Sequence, residues 1–229
     1  MCAAPLPQGF FDRPFAHRAL HGPGQPENSR EAILAAVDAG FAIEIDVQLS
    51  QDGVAMVFHD YGLTRLTGAL GTVQKMEAAE LEALPLLGGP TGAPTLSEAL
   101  ALVAGRVPMV IEIKDQDGAM GSAVGPLEEA VGRDVAGYAG PLAVMSFNPH
   151  SVAKMAELAP DLPRGLTTCA FEAEHWPTLP SKRRAELARL SDVARIGAAF
   201  ISHDHRSLTM EPVQALKRGA MPILTWTIR

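Results

Sequence analysis

Eight short apolar, β-branched runs recur along the 229 residues, and most of them precede a polar turn and an amphipathic helical stretch. Such alternation is typical of parallel βα units, in which a helix connects each strand to the next. The sequence therefore predicts an α/β fold of the (β/α)8 TIM-barrel type. The predicted strands are Phe15–His17, Ala42–Leu49, Val54–His59, Val107–Ile113, Leu142–Phe147, Arg164–Cys169, Ala198–Ser202 and Pro222–Ile228.

Helical periodicity fills most of the gaps between these strands. Ser29 is expected to cap the first helix, and Thr95 with Glu98 has the spacing of a capping box. The predicted helices are Ser29–Ala39, Leu96–Ala104, 126–137, Ser151–Leu158, Lys182–Arg195 and Glu211–Arg218.

Two irregularities interrupt the ideal repeat. Only residues 50–53 (Ser-Gln-Asp-Gly) join the second strand to the third, so the helix between them is missing. The sequence ends at Arg229 beside the eighth strand, so we expect either that the chain is truncated before a final helix or that something else covers this strand. Because an uncovered strand exposes a face that is normally buried, we expect lower stability or a homodimer contact there.

The domain organisation follows from the same alternation. It runs without a low-complexity linker, which predicts a single domain over residues 1–229. Residues 85–94 are dense in Gly and Pro and are predicted to form a loop. The segment 60–94 as a whole leaves room for a small cap only.

Charge and cysteine content narrow the class of protein. Nineteen Lys and Arg against 26 Asp and Glu give a net charge of −7 without a basic stripe, which argues against a nucleic-acid partner. Cys2 and Cys169 are too few for a disulfide framework or a thiolate metal site. The N-terminus does not resemble a signal peptide, and no run reaches the roughly 18 apolar residues of a membrane helix. We expect a soluble, cytoplasmic protein that does not insert into membranes.

Carboxylates alternate with large apolar residues in the second predicted strand. Side chains two residues apart share a face of a strand, so Glu44 and Asp46 point together while Ile43, Ile45 and Val47 face the other way. Like charges placed together inside a barrel need a cation or a proton between them. The pair alone fits a metal site and an ion-pair layer with a neighbouring Arg or Lys equally well.

A third acid, Glu112, shifts this balance toward a metal. It lies at the end of the fourth predicted strand, on the same face as Lys114. Strand ends converge at the C-terminal mouth of a TIM barrel, where the active sites of this fold lie. Three carboxylates suit Mg²⁺ or Ca²⁺ better than zinc, which prefers nitrogen and sulfur ligands.

Two histidines occupy comparable positions, since His17 ends the first predicted strand and His59 ends the third. A lone histidine is more often structural, but two beside one cation could serve as general base and general acid. Arg18 and Lys114 add positive charge that would hold an anionic substrate, and phosphate is the natural candidate.

These residues belong to short motifs that follow one another along essentially the whole chain. The motifs are Ala16-His17-Arg18, Pro26-Glu27-Asn28-Ser29, Glu44-Ile45-Asp46, Phe58-His59-Asp60, Thr95-Leu96-Ser97-Glu98-Ala99, Glu112-Ile113-Lys114, Met145-Ser146-Phe147 and Thr225-Trp226-Thr227. In this order they resemble the glycerophosphodiester phosphodiesterase family.

The resemblance implies a (β/α)8 barrel that hydrolyses glycerophosphodiesters to glycerol 3-phosphate and an alcohol. It also implies one divalent cation, either Mg²⁺ or Ca²⁺ with Mn²⁺ as a further candidate. The implied ligands of that cation are Glu44, Asp46 and Glu112. His17 and His59 correspond to the family's acid/base pair.

The resemblance assigns further residues to the substrate, a small phosphodiester. Arg18 and Lys114 would lie close to the phosphate. Glu27 and Asn28 resemble a Glu-Asn-Thr segment of the family and could bind the metal directly or order it and its water. Trp226 would wall the alcohol side of the pocket. Independently of the resemblance, Phe147 and Phe171 could shape the same pocket or belong equally well to the core.

The chain departs from the family pattern in its first loop and at its C-terminus. The family usually has Gly after His-Arg, whereas Ala19 follows here, so we expect a remodelled loop in which the added His21 has no assigned role. Arg229 replaces the terminal Asn of the family motif, which leaves the role of that Asn in doubt. The small cap predicts broad acceptance of glycerophosphodiesters rather than a deep, selective pocket.

Two alternative functions remain open at this point. One is a lyase similar to the phospholipases D that stop at a cyclic phosphate. The other is a non-catalytic barrel that binds a polyol phosphate. Retention of three acids and two histidines favours an enzyme, because binding alone needs no acid/base pair.

Overall fold

The structure, a computed structural model, describes residues 4–228; Cys2 and Arg229, on which two of the predictions above depend, lie outside the described residues. All eight predicted strands occur in this part of the chain. They are β1 Phe15–Ala16, β2 Ala42–Leu49, β3 Ala55–Val57, β4 Met109–Ile113, β5 Leu142–Ser146, β6 Arg164–Thr168, β7 Phe200–Asp204 and β8 Ile223–Trp226.

The helices of the described residues include every predicted one and two short additional ones. They are α1 Arg30–Ala39, α2 Thr64–Thr67, α3 Ala78–Ala83, α4 Leu96–Val103, α5 Pro126–Val135, α6 Pro149–Leu158, α7 Ser181–Ala188, α8 Asp192–Arg195 and α9 Glu211–Arg218. The helix expected over Lys182–Arg195 is divided into α7 and α8. Leu190, buried between them, has a left-handed φ of 54°, which interrupts helical hydrogen bonding.

Backbone contacts divide the chain into two compact units. The first consists of Pro7–Lys114 and Gly125–Leu142, and the second of residues 4–6, Asp115–Val124 and the chain from Ala143 onward. Each unit combines parallel strands with helices, so the predicted α/β class is confirmed. The expected single domain over residues 1–229 stays a prediction.

The first unit contains β1 to β4. Its central strand, β2, pairs in parallel with β1 and β4 and antiparallel with β3. The predicted lack of a helix between the second and third strands is confirmed, because Ser50 Oγ donates to Asp52 Oδ1 at 2.6 Å and Gly53 closes the turn with a φ of 82°. A tight turn reverses the chain, so β3 runs antiparallel to β2.

Ser29 and Thr95 cap their helices in the first unit, which confirms the first predicted cap and one half of the predicted capping box. Ser29 Oγ accepts from the backbone N–H of Ala32 at 3.1 Å, and Thr95 Oγ1 accepts from that of Glu98 at 3.1 Å. The Glu98 carboxylate also binds Arg30 of α1 through two bonds of 2.6 Å. This bidentate pair links the starts of α1 and α4.

The small cap over residues 60–94 shares an apolar core with β3 and Phe58 in the first unit. It contains α2, α3 and the single 3-10 turn Val73–Lys75. The buried residues of this core are Met56, Phe58, Leu63, Leu66, Val73, Ala78, Leu81, Leu86 and Ala93. The cap is therefore a packed substructure.

In the second unit, β5, β6, β7 and β8 pair in parallel in that order. Strand β7 ends at Asp204 rather than at the predicted Ser202, because His203 and Asp204 continue the parallel pairing with Thr225 and Trp226 of β8. The expected homodimer contact at the eighth strand stays a prediction. Among the described residues, no helix combines the length and hydropathy needed to span a bilayer.

Gly165 provides a test of the packing in the second unit. It lies on β6 opposite Phe200 of β7, and an added Cβ would overlap the fully buried Phe200 ring. We expect Gly165→Ala to lower the free energy of unfolding by about 1–3 kcal/mol, with a change in Tm of about 2–4 °C for each kcal/mol. Thermal unfolding followed by circular dichroism measures the change. Gly121→Ala is the matched control, since its Cβ meets no atom within 4 Å; equal Tm values for the two variants would argue against the overlap.

Candidate active site

Three carboxylates meet on neighbouring strands of the first unit. Asp46 on β2 is the register partner of Glu112 on β4, and Glu44 lies two residues earlier on the same face of β2. Their carboxylate oxygens lie within 4.8 Å of one another, and all three residues are buried, at most 7% exposed. The structure thus brings together the three acids that the sequence singles out.

Glu44 is the acid whose ionisation is most strongly opposed. Burial, reinforced by the charges of Asp46 and Glu112, raises the pKa of Glu44 well above its usual range. The backbone N–H of Arg18 donates to Glu44 Oε2 at 2.9 Å and only partly offsets this effect. Without a cation, Glu44 therefore keeps a proton at pH values where a glutamate is normally ionised.

Lys114 places an ammonium group against the other two acids. Its Nζ lies 2.7 Å from Glu112 Oε1 and 3.1 Å from Asp46 Oδ1. Burial alone would raise the pKa of Asp46, but the charge of Lys114, assisted by other neighbours, holds it well below its usual range. The same two carboxylates overcome the burial of Lys114 and raise its pKa. An ion-pair layer therefore exists at the site, and it contacts two of the three acids.

Asn28 orients Asp46. The Asn28 side-chain amide donates from Nδ2 to Asp46 Oδ2 at 3.0 Å, and its Oδ1 accepts from the Asp46 backbone N–H at 3.3 Å. Asn28 is 1% exposed and has a left-handed φ of 60°. Both groups of the amide are thus engaged with a single residue of the acidic cluster.

The first loop has a left-handed backbone at two successive residues, Arg18 (φ 56°) and Ala19 (φ 63°). Glycine adopts this conformation freely, whereas it is unfavourable for Ala19 because of its Cβ. The expected remodelling of the loop stays a prediction. The Ala19 backbone N–H donates to the carbonyl of Glu44 at 2.9 Å, which holds the loop against β2. His21, the added histidine of this loop, is exposed.

The Arg18 guanidinium is only partly satisfied. Its Nη1 donates to Glu27 Oε1 at 2.9 Å. Its Nε is buried, has no hydrogen-bond partner among residues 4–228, and lies 3.8 Å from Asp46 Oδ2. Because buried N–H groups are nearly always paired, this donor is available to a further acceptor.

His17 is held in its neutral form. Burial, then the positive charge of Arg18, lowers the pKa of His17 to about 4, although Asp46 opposes the shift. At neutral pH the imidazole is uncharged and one ring nitrogen can accept a proton.

His59 lies at the end of a chain of charged contacts. Its Nδ1 is 2.7 Å from Asp60 Oδ1, and Arg65 binds Asp60 through Nε at 2.6 Å and Nη2 at 2.9 Å. The other side of the Arg65 guanidinium binds Glu27, through Nη1 at 2.9 Å and Nη2 at 2.7 Å. Burial would raise the pKa of Asp60, but Arg65 and His59 outweigh it and lower that pKa to about 2.

Sequence reasoning missed Arg65. It lies in a segment interpreted only as a small cap, and its partner Glu27 is 38 residues away. A single arginine in such a segment has no spacing that points to a site. The sequence predicted that Glu27 binds or orders the metal. In the structure its carboxylate contacts two arginines, Arg18 and Arg65.

Phe147 and Trp226 lie together in the second unit. Their ring centroids are 5.7 Å apart in an edge-to-face contact, and Trp176 packs 5.0 Å from Phe147. Trp226 and Trp176 line a cavity of about 500 Å³. Its lining residues are Cys169, Ala170, Phe171, Glu172, His175, Trp176, Asp204, Arg206 and Trp226. Burial raises the pKa of the Cys169 thiol to about 11, so this cysteine is an inert part of the wall.

The acidic cluster fits a hard divalent cation. All three donors are carboxylates, the ligand type that Mg²⁺ and Ca²⁺ prefer. The acidic cluster belongs to a connected network of five carboxylates and three cationic side chains in the first unit. When every acid is ionised, the net charge of this network is two negative charges. These groups are Glu27, Glu44, Asp46, Asp60 and Glu112 against Arg18, Arg65 and Lys114.

The sequence matches the model of the Glycerophosphoryl diester phosphodiesterase family over residues 17–229. The chain belongs to this family. The family predicted from the ordered motifs, and with it the enzyme class, is therefore confirmed.

Relatives of the chain include other members of the family. It is 27% identical over 214 residues to the glycerophosphodiester phosphodiesterase of Caldanaerobacter subterraneus, covering 89% of this chain and 80% of that one. It is 39% identical to the glycerophosphodiester phosphodiesterase of Bacillus altitudinis over 107 residues. This alignment covers 44% of this chain and 43% of the relative.

A solved structure of a phosphodiesterase from Oleispira antarctica, in complex with the product sn-glycerol-3-phosphate, has the same fold. It superposes with a TM-score of 0.77 and 24% identity, covering 96% of this chain and 87% of that one. The fold predicted for the chain is thus shared with a phosphodiesterase over nearly its full length.

Proposed function

We propose that the protein hydrolyses glycerophosphodiesters to glycerol 3-phosphate and an alcohol, with the help of one divalent cation. The observation that carries this proposal is the buried cluster of Glu44, Asp46 and Glu112, which adjoins Lys114 and the unpaired Nε of Arg18. A site with oxygen ligands for a cation and positive groups beside them suits a phosphodiester. Membership in the family supports the same reaction.

The three acids would hold Mg²⁺ or Ca²⁺, with Mn²⁺ as a further candidate. When bound, such a cation supplies Lewis-acid polarisation of phosphoryl oxygens. Asn28 positions Asp46 for this role through its two hydrogen bonds. Glu27 acts indirectly, because its carboxylate binds Arg18 and Arg65.

Arg18 and Lys114 bind the phosphate in this proposal. The buried Arg18 Nε has no hydrogen-bond acceptor among residues 4–228 and can donate to a phosphate oxygen. Lys114, directly after β4, supplies a second positive charge. Fixed charges aimed at oxygens that become more negative stabilise the transition state without reorganisation.

His17 and His59 move the protons. His17 is neutral because of its burial and the positive charge of Arg18. It takes a proton from the nucleophile, either water or the glycerol 2-hydroxyl adjacent to the phosphate. His59 gives a proton to the departing alcohol from Nε2, because Asp60 at 2.7 Å engages Nδ1. The removal of one proton and the delivery of the other are thus assigned to different histidines.

The organic part of the substrate is proposed to contact Trp226 and Phe147. The partly exposed rings of these residues offer apolar surface to a glycerol or alcohol group. The small cap supports a broad range of alcohols. We place the reaction in the cytoplasm, where a chain with so few cysteines functions readily.

An assay of glycerol 3-phosphate release tests the proposal. Purified protein is incubated with glycerophosphocholine and glycerophosphoethanolamine, first untreated, then after EDTA, and then after re-addition of Mg²⁺, Ca²⁺ or Mn²⁺. We expect turnover that EDTA removes and one of these cations restores, since the phosphoryl oxygens would lose the Lewis acid that polarises them.

Phosphorus NMR of the products provides the control on reaction type. Hydrolysis gives glycerol 3-phosphate directly or after a transient cyclic ester. A cyclic phosphate as the final product would contradict hydrolysis. No turnover with any of the three cations, from protein with a cooperative unfolding transition, would contradict the proposed activity as a whole.

A further inference from the structure

Arg65 is the junction of two arms of the site. One edge of its guanidinium binds both oxygens of Asp60, at 2.6 and 2.9 Å, and another binds both oxygens of Glu27, at 2.9 and 2.7 Å. Two carboxylates bound in this forked geometry leave the guanidinium a single orientation. The residue lies on α2 of the cap, whereas Glu27 lies before α1.

The first arm reaches His59. Asp60 Oδ1, which accepts from Arg65, also lies 2.7 Å from His59 Nδ1. A carboxylate at Nδ1 keeps the proton on that nitrogen, so Nε2 is left as the nitrogen that exchanges protons with a substrate. The His59 carbonyl accepts from Gln48 Nε2 at 3.0 Å, which fixes the backbone beneath the ring.

The second arm reaches Arg18. Glu27 Oε1 accepts from Arg65 Nη2 and from Arg18 Nη1, at 2.7 and 2.9 Å. Burial would raise the pKa of Glu27, but Arg65 and Arg18 outweigh it and lower that pKa. The carboxylate is therefore a fixed anion that determines where the Arg18 guanidinium lies.

We propose that Arg65 is a positioning residue that sets the orientation of both His59 and Arg18 through Asp60 and Glu27. It touches neither the acids of the cation cluster nor the reacting atoms. The expected effect of Arg65 on catalysis rests on the proposed function. Its expected effect on the orientation of the His59 ring does not depend on that function.

An ordinary surface ion pair is the alternative role for Arg65. Its side chain is 47% exposed, and exposed pairs contribute little to stability. A surface pair predicts no effect on His59 or on catalysis when it is lost. Arg195 on α8 is a matched example, since it is 52% exposed and binds Asp192 at 2.7 Å within its own helix.

Steady-state kinetics of Arg65→Ala, Arg65→Lys and the control Arg195→Ala test the role with glycerophosphocholine. We expect Arg65→Ala to lower kcat by roughly 10–100-fold, the usual effect of losing a partner that orients a functional group, and to raise KM through Arg18. A lysine ammonium can bind one of the two carboxylates but cannot bind both in the bidentate geometry of a guanidinium. Arg65→Lys is therefore expected to recover part of kcat. Arg195→Ala should match the wild type.

Histidine ¹⁵N NMR supplies a readout that does not depend on turnover. We expect His59 of the wild type, assigned by the signal lost in His59→Gln, to carry its neutral-state proton on Nδ1. In Arg65→Ala the Asp60 carboxylate is free to turn away, and the ring is expected to shift toward the Nε2–H form that isolated histidine prefers. Arg195→Ala should leave the spectrum unchanged.

The two measurements separate the possible failures. Kinetics equal to the wild type in Arg65→Ala, or a loss of kcat with an unchanged His59 tautomer, would overturn the positioning role. An inactive wild type would contradict the proposed function, and the tautomer shift would still decide whether Arg65 orients His59. A Tm measurement on each variant confirms that the comparison is made on folded protein.

Discussion

Glu44→Gln is expected to lower phosphodiester hydrolysis by roughly a thousandfold, because several kcal/mol of cation stabilisation are lost and each 1.4 kcal/mol counts about tenfold. The same variant is expected to be more stable than the wild type in the absence of metal. Glu44 is buried beside Asp46 and Glu112, so its negative charge is unfavourable unless a cation lies among them. Glutamine keeps the acceptor for the Arg18 backbone N–H and removes the charge.

The pH dependence of this gain follows from the direction of the pKa shift. The pKa of Glu44 is raised by folding above its ordinary value of 4.5, so the folded state binds the proton more tightly than the unfolded state. The stability of the metal-free wild type therefore falls as the pH rises above that value, until Glu44 ionises in the folded protein. We expect the advantage of Glu44→Gln to be largest at neutral pH and to vanish toward roughly pH 4.

Calorimetry and thermal unfolding check both halves of this prediction. Titration of Mg²⁺ or Ca²⁺ into EDTA-treated protein measures affinity, and Tm values across pH measure stability, with about 2–4 °C for each kcal/mol gained. Glu157→Gln, the same chemical change on an exposed side chain of α6, is the control. Unchanged cation affinity in Glu44→Gln would remove Glu44 from the metal site.

His17→Ala and His59→Ala are each expected to lower kcat by about 10²–10⁴-fold, the usual contribution of a general acid or base. Neither histidine is among the carboxylate ligands, so cation affinity should change little. His150→Ala, on α6 of the second unit, is the control. A kcat near that of the wild type in both site variants would contradict the acid/base assignment.

A substrate with a good leaving group distinguishes the two histidines. The p-nitrophenyl ester of glycerol phosphate releases an alcohol that needs no proton, so loss of the general acid matters less for this substrate. We expect His59→Ala to recover most of its activity on the p-nitrophenyl ester and His17→Ala to recover none. The reverse pattern would exchange the two roles.

The acidic cluster could be predicted from the sequence because it depends on a local rule. Alternation along β2 places Glu44 and Asp46 on one face whatever surrounds the strand, and β2 has the predicted bounds Ala42–Leu49. Pairing of Glu112 with Asp46 required only that two predicted strands be neighbours in a parallel sheet. The turn after Leu49 followed in the same way from Asp52-Gly53.

The contacts of Arg65 could not be predicted in this way. Glu27 and Arg65 are 38 residues apart, and their bond depends on how the cap packs beside the first loop. The division of the helix expected over Lys182–Arg195 is similar, because the left-handed Leu190 is stabilised by burial that its own sequence does not show. Both features depend on packing between segments that are distant in sequence.

Periodicity and motif order in the amino-acid sequence were enough to establish the α/β class, the family and the identity of the three clustered acids. These properties depend on the period of a strand and on short motifs, which are local and survive any detail of packing. Tertiary structure alone decided the ionisation of Glu44 and His17, the unpaired Nε of Arg18, and the chain of contacts from His59 to Arg18. Burial and charge–charge distance set these properties, and both exist only once segments far apart in sequence have packed together.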